Sequence, residues 1–216
     1  MRRHLAMLRL SFRNIGKLYY FPPAVVLVLF PFLSSQYKST AADATMTFLS
    51  VSWLAQLLLP VLVVWWIYFA LHERLEGNGR ETLWAYQSGL ASLLIDLALV
   101  WIWYAFHMAV AMFVLSLWLP NAGVLYVHLL IQSLFYVGCF CLITGLSGSA
   151  GAGFLVVLAY YFVTAFLASG FFQSIDIFLS EELLYGFSFL HRDMLFAAFG
   201  AAGTFFGVLF MRKRKI

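Results

Sequence analysis

The stretch FLSVSWLAQLLLPVLVVWWIYFAL, residues 48–71, contains no charged side chain. A hydrocarbon core of about 30 Å takes about 20 apolar residues at 1.5 Å per residue, so this stretch is long enough to cross one as a helix. A soluble protein could bury such a helix only beneath a polar exterior. Here 64% of the chain is hydrophobic and 10% is charged, against about a quarter charged in a soluble domain. The surrounding solvent is therefore lipid. Trp65, Trp66 and Tyr68 fall near the end of the stretch and are expected as interfacial anchors.

The same reasoning gives five further spans, at 19–34, 89–119, 123–146, 154–172 and 194–211. Pro22 and Pro23 suit the opening of a helix, where an N–H has no intrahelical partner. The 89–119 span is longer than a bilayer requires and is expected to tilt or project. Residues 35–47, 120–122 and 173–193 are read as loops on one side. Residues 72–88 and a glycine-rich turn at 147–153 are read as connections on the other.

Charge placement orients these spans. Arg2, Arg3, Arg9, Arg13 and Lys17 precede the first, and Arg212, Lys213, Arg214 and Lys215 follow the last. Basic flanks mark the cytoplasmic side, and six spans put both ends on one side, so both termini are expected in the cytoplasm of a cell-membrane protein. These charges serve topology, and no nucleic-acid partner is expected. On a helical wheel of residues 2–17, Leu5, Leu8, Phe12 and Ile15 share one arc, with the basic residues on the next and Leu10 the apolar exception. That pattern describes an interfacial helix lying among the headgroups. No small-residue cleavage site follows the first apolar run, so a cleaved signal peptide is not expected. Cys139 and Cys141 lie inside a span, point to different sides of a helix and read as core residues rather than a disulfide. The fold class is thus an all-α integral membrane domain over residues 1–216.

The connection 72–88 is the most polar stretch between spans. Asn78 and Glu81 have the form of a capping box, which predicts a short helix from about Gly79 presenting Arg80, Glu81 and Trp84. A compact charged helix between two spans suits docking to a soluble partner; an ordinary solvated loop is the alternative. This segment resembles the permease subunits of type-2 ABC exporters. In that family an acidic residue ends the second span, then come a glycine and a Glu- and Leu-containing coupling helix. Glu73, Glu76, Gly77, Glu81 and Leu83 match that pattern. The chain departs from it in the extra Gly79 and in lacking a proline at 86–88.

The resemblance implies a permease dimer, formed with a second copy or a paralogue. An ABC ATPase subunit would drive it through the coupling helix, moving a hydrophobic or amphipathic substrate such as a drug, peptide or lipid-like molecule. ATP and Mg would sit on that partner. No Gly-rich loop ending in Gly-Lys-Ser or Gly-Lys-Thr occurs here, so no nucleotide site, cofactor or metal of its own is expected. A non-transport membrane protein, an assembly factor or sensor, is the second reading.

Intramembrane hydrolysis is the third. Gly145-Leu146-Ser147-Gly148 has the form of a rhomboid nucleophile motif. A serine nucleophile needs a base within hydrogen-bond reach, and residues 194–211 contain no histidine. The bland reading is a tight turn where small residues let helices approach. Glu181-Glu182 resembles the paired glutamates of prenyl-protein proteases, without their further histidines, and a solvated outer loop, or a short re-entrant helix capped by Ser180, fits better.

Three residues remain as candidates for a transport path. Asp96 is a carboxylate inside a span, a costly placement that usually faces protein or water. It would line a path, pair with another helix, or be protonated. His107 and His128 fall at similar depth in adjacent spans. They would face each other in a metal or proton role, for which two histidines are few, or each would make an ordinary interhelical hydrogen bond, the better reading.

Overall fold

The computed structural model describes residues 15–41, 43–77, 89–167 and 191–214, together with His4, Arg9, Phe12, Arg13 and Phe178. Among these, all regular structure is helical. We number the helices α1 (Gly16–Thr40), α2 (Ala44–Leu75), α3 (Leu90–Ser116), α4 (Ala122–Ser147), α5 (Ala150–Leu167) and α6 (His191–Lys213). All but α5 are long and apolar enough to cross a membrane, and the chain is a multi-pass α-helical membrane protein. Helix α5 is apolar but shorter, and the rest of the expected 154–172 span lies outside the described residues.

Several expected loops are helix instead. Residues 35–40 continue α1, and α2 begins at Ala44, so most of the expected 35–47 loop is helix. Polar residues are tolerated there because their hydroxyls bond back onto the helix. Ser35 Oγ donates to Phe32 O (2.7 Å), and Ser39 Oγ to Gln36 O (2.8 Å). Asp43 then caps α2, its carboxylate accepting from Met46 N at 2.7 Å. Helix α2 continues past Leu71 to Leu75 and carries Glu73 and Arg74 within it. Helix α6 starts at His191 rather than 194 and so includes Asp193. The 147–153 turn shrinks to Gly148 and Ser149, with Gly148 at φ 79°, a left-handed conformation that favours glycine.

The longer α2 also corrects the anchor reading. With nine more residues of helix beyond it, Trp66 is not at an interface but fully buried, stacked on Tyr19 at 5.2 Å and donating its indole N–H to Tyr19 O at 3.1 Å. Trp65 is half-buried and donates to Leu18 O at 3.2 Å. Pro60 lies inside α2 and removes one N–H from its ladder. Around it, the hydroxyls of Tyr161 (α5) and Tyr104 (α3) donate to the carbonyls of Leu57 and Leu59. Such side-chain bonds let a proline-bearing helix persist in lipid.

Helix α4 is the centre of the bundle and packs against α2, α3, α5 and α6. Its contact with α6 is backbone on backbone. A Cβ built on Gly203 would stand 2.8 Å from the Gly138 carbonyl oxygen, and one on Gly200 would stand 2.7 Å from the Leu134 oxygen. Gly145 and Gly207 meet in the same way one end further along. Lipid tails are as apolar as leucine, so helices associate in a membrane by close van der Waals fit, which small residues permit. Gly145 in the Gly145-Leu146-Ser147-Gly148 string is thus a helix-contact residue, as its bland reading expected. Ser147 Oγ donates to Ile143 O at 2.7 Å. Cys139 and Cys141 are free thiols, half-buried and buried.

Candidate functional site

The polar side chains of the bundle gather in two places. The first lies where α2 ends and α3 begins. Arg74 and Asp96, both buried, form an ion pair at 2.9 Å (Arg74 Nη2 to Asp96 Oδ2), and His4 Nδ1 stands 2.8 Å from Asp96 Oδ1. Of the roles open to Asp96, pairing with another helix is the one this geometry fits. A buried charge in lipid is retained where a partner compensates it, and here the partners come from α2 and from the N-terminal segment. Phe12 and Ile15 of that segment also face the protein: Phe12 packs on Tyr19 (4.8 Å) and Trp66 (5.4 Å), and Ile15 is buried, while Arg9 and Arg13 are exposed.

Two residues beyond Arg74, Glu76 reaches the start of α5. Its Oε1 accepts from Ser149 Oγ and from Ala150 N, both at 2.9 Å. Its Oε2 stands 2.9 Å from His72 Nδ1, an ion-pair contact outside hydrogen-bond geometry. Partial burial pushes the Glu76 carboxyl up, but the bonds from Ser149 and Ala150 and the nearby His72 outweigh it and hold the group below its ordinary value. The positive end of α5 favours the same charged form. Gly77 follows in a tight position, where a Cβ would collide with the Glu73 backbone. Both Glu76 N and Gly77 N donate to the His72 carbonyl, at 2.8 Å and 3.2 Å.

Replacing Glu76 with alanine is expected to cost about 1 kcal/mol, the size of a lost helix cap. A carboxylate held below its ordinary titration range stabilises the fold fully above that range, and the contribution is lost as pH falls through the lowered value. Thermal melts of wild type and E76A at neutral and acid pH should therefore differ at neutral pH and converge in acid.

Arg80, Glu81, Leu83 and Trp84 lie outside the described residues, as does Glu181-Glu182. Of the segment that resembles a coupling motif, the structure thus places Glu73, Glu76 and Gly77.

The second cluster lies toward the other end of the bundle. His128 and His107 do not pair. His107 Nδ1 is 2.8 Å from Trp103 O and its ring packs edge-on to Trp103 (4.8 Å) and Trp66 (5.6 Å). His128 instead sits in a buried chain across three helices. Its Nδ1 is 3.4 Å from Asp193 Oδ2 on α6, its Nε2 is 3.0 Å from Gln132 Nε2 on α4, and the same Gln132 Nε2 donates to Gln56 Oε1 on α2 at 3.0 Å. Gln56, His128, Gln132 and Asp193 are all buried. The sequence reading missed Gln56, Gln132, Arg74, His4 and Asp193. The four-residue spacing of His128 and Gln132, which puts both on one helix face, was the available signal.

Among the described residues no group of three or more His, Cys, Asp or Glu side chains is placed to hold a metal ion. Compared with protein-family models, with curated proteins and with solved structures, the chain finds no match.

Proposed function

We propose that this chain is the membrane-spanning permease subunit of an ATP-driven exporter of the type-2 ABC class. In this reading it has six spans, an N-terminal interfacial helix and both termini in the cytoplasm. It works as a dimer, and a separate ATPase subunit binding ATP and Mg drives it. The observation that carries the reading is how the two ends of the 78–88 segment are fastened. Arg74 before it and Asp96 after it are joined by a buried ion pair, Glu76 fastens the end of α2 to α5, and His4 fastens Asp96 to the N-terminal segment. A force passed from residues 78–88 to Glu76 would therefore act on α2, α3 and α5 together. Such a rigid footing is what a lever between a motor and a bundle requires. The aromatic content, 19% of the chain, suits a hydrophobic or amphipathic cargo.

Arg80 and Glu81 are the side chains assigned to the docking contact. Truncating a hot-spot residue costs about 2 kcal/mol, so R80A/E81A should weaken ATPase binding about thirtyfold while the chain still inserts. Co-purification from detergent and substrate-stimulated ATP turnover read this directly. A wild-type complex without an ATP-hydrolysing companion, or a double variant with unchanged coupling, would remove the docking role.

A further inference from the structure

We propose that His128 and Asp193 form a buried proton-binding site, with Gln132 and Gln56 as a hydrogen-bond relay that reverses when the proton is taken up. The proposal stands independently of the exporter reading, since it concerns the opposite end of the bundle. His128 is 19 residues before the end of α4, about 28 Å at 1.5 Å per residue from the level of Glu76 and Ser149.

The donor pattern fixes where the first proton sits. Gln132 Nε2 is an amide nitrogen and can only donate, so His128 Nε2, 3.0 Å away, accepts from it. A neutral His128 therefore carries its hydrogen on Nδ1, directed at Asp193 Oδ2. In that state the site holds one buried negative charge inside a membrane bundle. Asp193 Oδ1 is also buried and has no hydrogen-bond partner among the described residues. Both features are costly in a low-dielectric medium. One proton taken from water onto His128 Nε2 makes an imidazolium–carboxylate pair with no net charge. The new N–H must then meet an acceptor, which a 180° rotation of the Gln132 amide supplies by bringing Oε1 to the imidazole. Rotation of the Gln56 amide then offers Gln132 Oε1 a donor in turn. No bond to carbon changes, and α2, α4 and α6 stay linked through Gln56, Gln132, His128 and Asp193 in both states.

No other described charge competes. On α2, residues 44–59 carry no titratable side chain, and neither do residues 108–116 of α3. Tyr161 on α5 is committed to Leu57 O at 2.7 Å, and Tyr126 on α4 to Ala105 O at 3.2 Å. Tyr160 and Tyr136 are packed on one another and on Phe135. Arg192, next to Asp193 on α6, makes no ion pair with it; His128 is its ionic contact among the described residues.

The test is nitrogen NMR of the full chain in lipid, with ¹⁵N-labelled histidine and glutamine. H128Q assigns the His128 signal among the five histidines. If that variant fails to fold, single replacements of His4, His72, His107 and His191 assign it by elimination. The expected result is the Nδ1–H tautomer in alkaline buffer. Acidification through the range where imidazoles gain a proton should then add the second proton, with the Gln132 side-chain amide shifting over the same interval. In D193N the drive to neutralise the carboxylate is gone, and the coupled shift should disappear. An Nε2–H tautomer in alkaline buffer would overturn the proposal. So would a His128 signal that does not change down to the lowest pH at which the protein stays folded, or a Gln132 amide indifferent to it.

Discussion

Replacing Gly207 with leucine is expected to drive α6 off α4 and to leave a bundle that no longer holds together in mild detergent. The reason is backbone proximity. A Cβ at Gly207 would fall on the Cys141–Leu142 peptide, 2.6 Å from Leu142 N, and Cβ atoms at Gly138 and Gly145 on α4 and at Gly200 and Gly203 on α6 would be equally close to backbone. A flexible side chain in the way could move, but a helix backbone cannot without moving the helix. Overpacking in an ordinary core costs about 1–3 kcal/mol, and here relief requires separating two helices along their whole contact, so the loss belongs at or above the upper figure. It also removes the dispersion contacts that are the main attraction between helices in lipid. Gly123→Ala is the control, since a Cβ there meets nothing within 4 Å and alanine favours the helix by about 0.4–1 kcal/mol. Thermal or SDS unfolding of the purified protein should rank G207L far below wild type and G123A at or slightly above it. A G207L protein as stable as wild type would refute the tight α4–α6 contact.

The second large effect falls on the ion pair. Arg74→Met takes the guanidinium from the Asp96 carboxylate and leaves it His4, and Asp96→Leu takes the carboxylate from Arg74, each in a buried site. Removing one partner of a buried pair costs about 3–5 kcal/mol, because the remaining charge keeps its desolvation without its compensation. Replacing both partners by apolar side chains of similar size is often close to neutral, so R74M/D96L should recover most of the loss. A double-mutant cycle measured by unfolding gives the coupling, and strictly additive single effects would show that the pair is not a pair. The same cycle bears on function. A stable but inactive R74M/D96L would place the role of the pair in transmitting motion from residues 78–88, whereas a stable and active one would make it only a fastening.

The membrane class was legible without any structure, because 24 uncharged residues such as 48–71 have few alternatives in physics. A low charged fraction leaves lipid as the only matching solvent, and helix is the single-segment structure that satisfies its own backbone there. Helix existence and order followed for the same reason. Helix ends did not. The sequence ends the second span at Leu71 and begins the last at Met194, short of the charges at Glu73, Arg74 and Asp193, because a charge in lipid is costly without a known partner. Arg74 and Asp193 lie inside helices since Asp96 and His128, distant in sequence, offset that cost. An α2 ending at Leu71 is also what makes Trp66 read as an anchor, and the helix running on to Leu75 removes that reading.

Composition and local spacing, then, determined by themselves that this chain is a helical membrane protein, since transfer to lipid depends on each segment's own side chains. Tertiary structure alone decided which polar residues sit together: Arg74 with Asp96 and His4, Glu76 with the start of α5, and Gln56, Gln132, His128 and Asp193 in one chain. The energy of a buried polar group depends on the partner it meets across the bundle, and no window along one helix contains that partner.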